Sequence, residues 1–307
     1  MTGSFPVLMP EPKTAPSPLR VATDVRVAFQ GEAGSFSEQA VVQLWRGMAR
    51  PVPMRTFDDV MDAAEGGDVD YGIVPIESTL VGGVDVAYDL LALHDGLSVV
   101  AETIVPIHLS LLGLPGASIA RLRAVQSHPI MLAQCAYFFD AHRHISAEAA
   151  WDTAGAARAV VERGDLSVGA AAPPLAAERF GLEVLKEHLE DRPDTMMRFL
   201  AVSTEPESPS SGVPARTAVL FAVSDNAGAL LSVIAPLAAA GFNVSHLTSR
   251  PTRDPWRYQF FIEFDHVGRD NRAAEAVSEI RRVSTFARLL GTFPRWPAPN
   301  RDTSELA

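Results

Sequence analysis

From Val25 to Val202, short apolar runs alternate with segments of helical period, and this alternation most narrows the folds open to the chain. Val25–Phe29 alternates as a strand, Gly31–Ser35 breaks it as a turn, and a helix is predicted from the N-cap Ser37 to about Trp45. A second helix is predicted from about Asp58 to Glu65, then a buried-type strand at Tyr71–Ile76. Apolar Leu109–Leu114, helices Pro129–Asp140 and Thr153–Arg163, a strand at Ser167–Ala171, a helix at Leu175–Phe180 and a strand at Arg198–Val202 continue the series. Strands alternating with helices predict a layered α/β domain over 25–203.

Residues 204–216 are rich in Ser, Pro and Glu and read as a linker. Beyond it the predicted order is strand Ala218–Val223, helix Ala229–Ala240, strands Val244–Thr248 and Tyr258–Phe264, helix Arg272–Arg282 and strand Ala287–Phe293. That βαββαβ order is the ferredoxin-like plan, here over 217–294. Residues 1–24 read as a disordered leader and 295–307 as a loose tail. Met1–Thr23 holds five prolines and two basic residues, without the basic start and apolar core of a secretory signal.

A chain of 307 residues suffices for two modest domains, each with its own core. The net charge of -11 and the lack of a basic run argue against nucleic acid, and no apolar run is long enough for a membrane span. The single cysteine, Cys135, excludes an intrachain disulfide and fits a cytosolic protein. His94, His108, His142, His144, His188, His246 and His266 show no metal-ligand spacing, and no cofactor or metal is expected.

Phe29–Ser37 forms an opening glycine loop, Gly72–Leu80 reads Gly-Ile-Val-Pro-Ile-Glu-Ser-Thr-Leu, and Ser127-His128-Pro129 follows. Taken in order, these motifs resemble the prephenate dehydratase family, with Ser78 and Thr79 in the Asn and Ser places of its Val-Pro-Ile-Glu-Asn-Ser motif. Leu132–Cys135, Asp152–Ala157 and Arg179–Leu182 match further segments. The second unit resembles an ACT regulatory domain through Gly228-Ala229-Leu230, Thr248-Ser249-Arg250-Pro251 and Leu290–Pro294. The resemblance implies a two-lobed catalytic domain like the periplasmic binding proteins, a prephenate substrate and a homodimer or homotetramer. It also implies an aromatic amino-acid effector near Gly228, Ala229, Leu230, Thr248, Ser249 and Arg250.

One departure sits in the family's Asn-x-Thr-Arg-Phe segment. Here Thr195 stands for the Asn and Met197 for the threonine taken to assist departure of the ring hydroxyl, while Arg198 and Phe199 are kept. A thioether has no proton to give. Arg198 is the candidate carboxylate clamp, with a structural ion pair as the alternative. Ser35, Ser78, Thr79, Ser127, Thr153 and Phe199 are candidate substrate contacts, with helix capping the bland role for the hydroxyls, and the backbone N–H groups at Ser35 and Phe36 are candidates to hold a carboxylate. Glu77 and His128 are candidate acids, and Thr195 is a possible replacement donor that in a strand would point the same way as Met197.

Three readings follow. In the first, the chain is a non-aromatising prephenate decarboxylase, removing the ring carboxylate but keeping the hydroxyl and serving specialised metabolism. In the second it is an ordinary dehydratase forming phenylpyruvate. In the third it is a catalytically silent binding paralogue.

Overall fold

The computed structural model describes residues 24–297, so the leader and the end of the tail lie outside the described residues, apart from Asp24. Lobe one is built from β1 (Arg26–Gln30), α1 (Phe36–Leu44), β2 (Arg50–Met54), α2 (Phe57–Glu65), β3 (Tyr71–Ser78), β4 (Gly82–Gly83), α3 (Asp85–Leu93) and β5 (Ser98–Pro106). Lobe two follows with β6 (Ser110–Gly113), β7 (Ala124–Ser127), α4 (Pro129–Ala133), α5 (Ala136–Ala141), β8 (Ser146–Ala149), α6 (Thr153–Arg163), β9 (Val168–Ala172), α7 (Pro174–Phe180) and β10 (Glu183–Lys186). The chain then returns to lobe one as β11 (Met196–Ser203), antiparallel between β3 and β5.

Two crossovers therefore join the lobes, one between β5 and β6 and one between β10 and β11. The sheet orders are β2-β1-β3-β11-β5 and β10-β6-β9-β7-β8. Pairings among β1, β2 and β3 and among β7, β8 and β9 are parallel, so these strands present their carboxyl ends together, where α/β folds build ligand sites. This is the bilobal layout that the resemblance implied.

Two elements show how context shapes local structure. Strand β2 reads Arg-Pro-Val-Pro-Met, and its two prolines are tolerated because it is the sheet's edge. The single helix predicted at Pro129–Asp140 is two, α4 and α5. The break is fixed by Asp191, whose carboxylate accepts from the N–H groups of Ala136 and Tyr137 at 2.9 and 3.1 Å. Inside the break Cys135 is buried, and burial pushes its thiol up to about 12, an inert sulfur.

The ferredoxin-like unit comprises β12 (Pro214–Ala222), α8 (Ala229–Ala239), β13 (Asn243–Pro251), β14 (Tyr258–Val267), α9 (Asn271–Val283) and β15 (Phe286–Pro294), with sheet order β13-β14-β12-β15. One face packs on its own helices. The other does not close a separate core: Ala218, Leu220, Phe261, Leu290 and Phe293 join Val74, Ile76, Tyr88 and Leu91 of lobe one in one apolar cluster. Each fully buried Leu or Phe there is worth ~1.5–3 kcal/mol, so the two domains are docked rather than strung on a linker. Trp296, placed by the sequence in the tail, is buried against lobe one, and its backbone N–H donates to Glu102 Oε1 at 2.8 Å.

Gly291 marks the closest approach of the domains. A Cβ at this position would lie 2.0 Å from the Val99 carbonyl oxygen on β5, and backbone cannot yield as a side chain does. Gly291→Ala should therefore push β15 off β5, costing ~1–3 kcal/mol as overpacking does. A lower thermal midpoint with faster protease cleavage near residues 204–213 would register it.

Candidate active site

The family motifs gather where the lobes meet. The β1–α1 loop touches lobe two through Glu32, whose N–H donates to Asp152 Oδ2 at 3.2 Å and whose carboxylate lies 3.2 Å from Arg158. Asp152 also caps α6 by accepting from Gly155 N–H. Gly34 has φ +83°, and a Cβ there would stand 2.4 Å from Ala176 Cα, so only glycine permits this closeness. Glu38, buried in α1, accepts from Gly34 N–H and pairs with Arg179 of α7 at 2.7 Å. The glycine loop is thus filled by the protein's own carboxylate. Phe36 packs against the apolar clusters of both lobes.

Several expected hydroxyls have structural partners. Ser35 caps α1, accepting from Glu38 N–H at 3.3 Å. Ser78 accepts from Leu80 N–H at 3.2 Å, and Thr79 Oγ1 from Met196 N–H at 2.9 Å, which ties the loop after β3 to the start of β11. Ser127 is fully buried and donates to Ala171 O at 2.6 Å, so the expected substrate contact is instead a bond between β7 and β9. Thr153 opens α6, where first-turn N–H groups have no intrahelical partner and favour an anion. His128 caps α4, Nδ1 accepting from Ile130 N–H at 3.3 Å, so the neutral ring carries its proton on Nε2.

The Asp191–Phe199 segment divides by strand alternation. Met197 lies opposite Ser78 and Val105 and packs with the α1-side cluster, at the end of β11 next to the crossover. Phe199, expected to touch substrate, is 2% exposed inside that cluster and is a core residue. Thr195 precedes the strand, is 3% exposed, and accepts from Ile107 N–H of the other crossover through its carbonyl at 2.9 Å. Its hydroxyl has no hydrogen-bond partner among the described residues.

Arg198 points the opposite way. Its Nε lies 2.7 Å from Glu102 Oε2, and Nη2 and Nη1 lie 3.0 and 2.8 Å from Glu263 Oε1 and Oε2, the last without hydrogen-bond alignment. Glu77 is 3.9 Å from Arg198 Nη1 and from His246 Nδ1, at the domain interface and apart from the cleft. Arg216 and Asp265 extend the network, with contacts of 3.0 Å to Glu102 and 2.8 Å between the two. Burial opposes the Arg198 charge, but Glu263 and Glu102 outweigh it and hold the guanidinium above its ordinary value. The expected carboxylate clamp is corrected to a buried interdomain ion pair, because every guanidinium nitrogen already faces a carboxylate.

Among the effector candidates, Gly228 caps α8 at φ +85° and Ala229 and Leu230 are half-buried. Thr248 lies opposite Phe261 of the shared core and Ser249 is exposed. Arg250 is engaged by Asp89 at 2.9 and 2.8 Å and by Asp85 at 2.5 Å, and so latches β13 to α3. Glu38, Asp152, Arg179 and Phe36 form the lobe junction. Of these only Phe36 was given a site role from the sequence; Asp152 and Arg179 entered only as the first residues of matched segments, because their importance rests on contacts more than 100 residues distant.

Two α/β lobes joined by two crossovers, with a ferredoxin-like unit docked on one lobe, give the chain the layout of a bilobal α/β protein carrying an ACT-like domain. The prephenate dehydratase profile matches residues 27–207 and the ACT-domain profile residues 217–284. The chain is 33% identical over 305 residues to arogenate dehydratase/prephenate dehydratase 1, chloroplastic, of Arabidopsis thaliana, covering 94% of this chain and 77% of that protein. It is similar to the prephenate dehydratase of Arthrobacter aurescens solved with L-Phe, at 30% identity and TM-score 0.81, covering 91% of this chain and 94% of that one. A structure described as GqqA, a novel type of quorum quenching acylase, is 32% identical at TM-score 0.81, covering 89% and 98%. The protein belongs to the prephenate dehydratase family. Among the described residues no helix is long and apolar enough to cross a membrane.

Proposed function

We propose that the protein is a hydro-lyase that turns prephenate, or its amino counterpart arogenate, into the aromatic product by losing carbon dioxide and water. The bond from the ring to its carboxylate breaks, its electron pair completes the aromatic ring, and hydroxide departs from the opposite carbon. Hydroxide is a poor leaving group, so a proton delivered to it is worth ~10²–10⁴-fold. The observation that carries this reading is the Thr195 hydroxyl, which sits beside the crossover on a residue only 3% exposed, has no hydrogen-bond partner among the described residues, and lies two residues from the Met197 that has no proton to give. First-turn N–H groups of α1 and α6, and His128 Nε2–H, are the donors proposed for the substrate's carboxylates.

Relatives named as arogenate or prephenate dehydratases support this reading over the decarboxylase expected first. Met197 itself favours a second reading, in which carbon dioxide leaves, the alcohol stays and a distant ring carbon is protonated. Incubating the protein with prephenate and identifying the keto acid separates the two: phenylpyruvate supports dehydration, and a non-aromatic acid bearing the hydroxyl supports the second. Met197→Thr should raise aromatic turnover severalfold or more under either reading, read as the rate of phenylpyruvate formation. We further infer that the ACT domain takes an aromatic amino acid near Gly228–Leu230, as its solved relative with L-Phe suggests, and that the chain works as a homodimer or homotetramer.

A further inference from the structure

His108 lies in the first crossover, between β5 and β6, and His188 and Glu190 lie in the second, between β10 and β11; about 80 residues of lobe two separate them in sequence. His108 Nδ1 stands 2.8 Å and His188 Nδ1 3.1 Å from the same oxygen, Glu190 Oε1. The other carboxylate oxygen accepts from Leu109 N–H at 2.8 Å, which fixes the orientation of the group. The two imidazoles meet edge to face with centroids 5.1 Å apart. His188 holds φ +51°, a left-handed conformation that costs a non-glycine residue ~1–2 kcal/mol, although its ring is 65% exposed. An exposed hydrogen bond that water can replace does not account for that backbone.

We propose that His108, His188 and Glu190 bind a divalent cation of the zinc class, through His108 Nδ1, His188 Nδ1 and Glu190 Oε1, with water in the fourth position. The three ligand atoms lie within 4.8 Å of one another. A tetrahedral ion with bonds of ~2.0–2.2 Å holds its donors about 3.3–3.6 Å apart, so small ring rotations suffice. Two imidazoles and one carboxylate suit zinc over magnesium or calcium, which prefer oxygen-only shells. Leu109 N–H supplies the outer contact that aims a ligating carboxylate. The ion would join the two crossovers a few residues before Thr195, and so stiffen the hinge between the lobes. This site is independent of which reaction the cleft performs.

The test uses the full chain without a polyhistidine tag, freed of metal by chelator and titrated with zinc by calorimetry, with cobalt(II) as a spectroscopic probe. One saturable equivalent is expected, with the visible bands of tetrahedral cobalt and a rise in thermal midpoint. His188→Ala, at an exposed position that leaves the fold intact, should weaken binding at least ~10-fold, and His108→Ala likewise. His142→Ala should leave affinity unchanged. No saturable binding, cobalt bound without tetrahedral bands, or full affinity in His188→Ala would each overturn the assignment.

Discussion

Thr195→Val should lower aromatic turnover by ~10²–10⁴-fold in kcat with a much smaller change in KM, the signature of a donor that acts only as the ring oxygen departs. The loss equals about 3–5 kcal/mol of transition-state stabilisation. Valine keeps the shape of threonine at a site only 3% exposed, so the fold should survive and the deficit can be read as chemistry. Thr195→Ser should retain most of the activity, since only the hydroxyl is required. In Thr195→Val/Met197→Thr, aromatic turnover should recover, because the donor returns to the place that the family resemblance assigns it. Unchanged kcat in Thr195→Val would move the proton to another group, His128 being the other candidate acid outside the domain interface.

The sequence made the alternation of strands and helices legible because each element carries its own period and its own breakers. Helix α6 is bounded as predicted, with Asp152 before it and Gly164 in a left-handed cap after it. The second domain was legible element by element for the same reason. Strands β2, β5, β7, β8 and β10 were not among the predicted elements: β2 carries two prolines, and the others are short or flanked by equally apolar segments. The direction of Arg198 was hidden more deeply. Plain alternation sets Arg198 on the face opposite Met197 and Phe199, but its Nη1 reaches Glu263 only because a separate domain docks on that face. The same holds for His108 and His188, whose neighbourhood depends on two crossovers and leaves no trace in their spacing.

Arg198→Met should cost ~3–5 kcal/mol, the penalty of leaving buried carboxylates without their partner, and should lower the thermal midpoint more than any single surface change. Glu102 and Glu263 are 1% and 4% exposed, so neither can turn to water when the guanidinium is gone. The effect carries a pH signature with a definite sign. Burial alone would raise Glu263 and Asp265, but Arg198 and Arg216 for the first, and Arg216 and Arg295 for the second, hold them below 4.5 and 3.8. Groups depressed in the folded state contribute stability above their unfolded values and lose it as pH falls through the folded ones. Wild type should therefore weaken steadily below about pH 5. Arg198→Met, whose stranded Glu263 gains from taking up a proton, should weaken less over the same range. The stability gap between the two proteins should then narrow on acidification. A gap that stays constant from pH 7 to about pH 4 would show that Arg198 acts through packing of its stem and not through its charge.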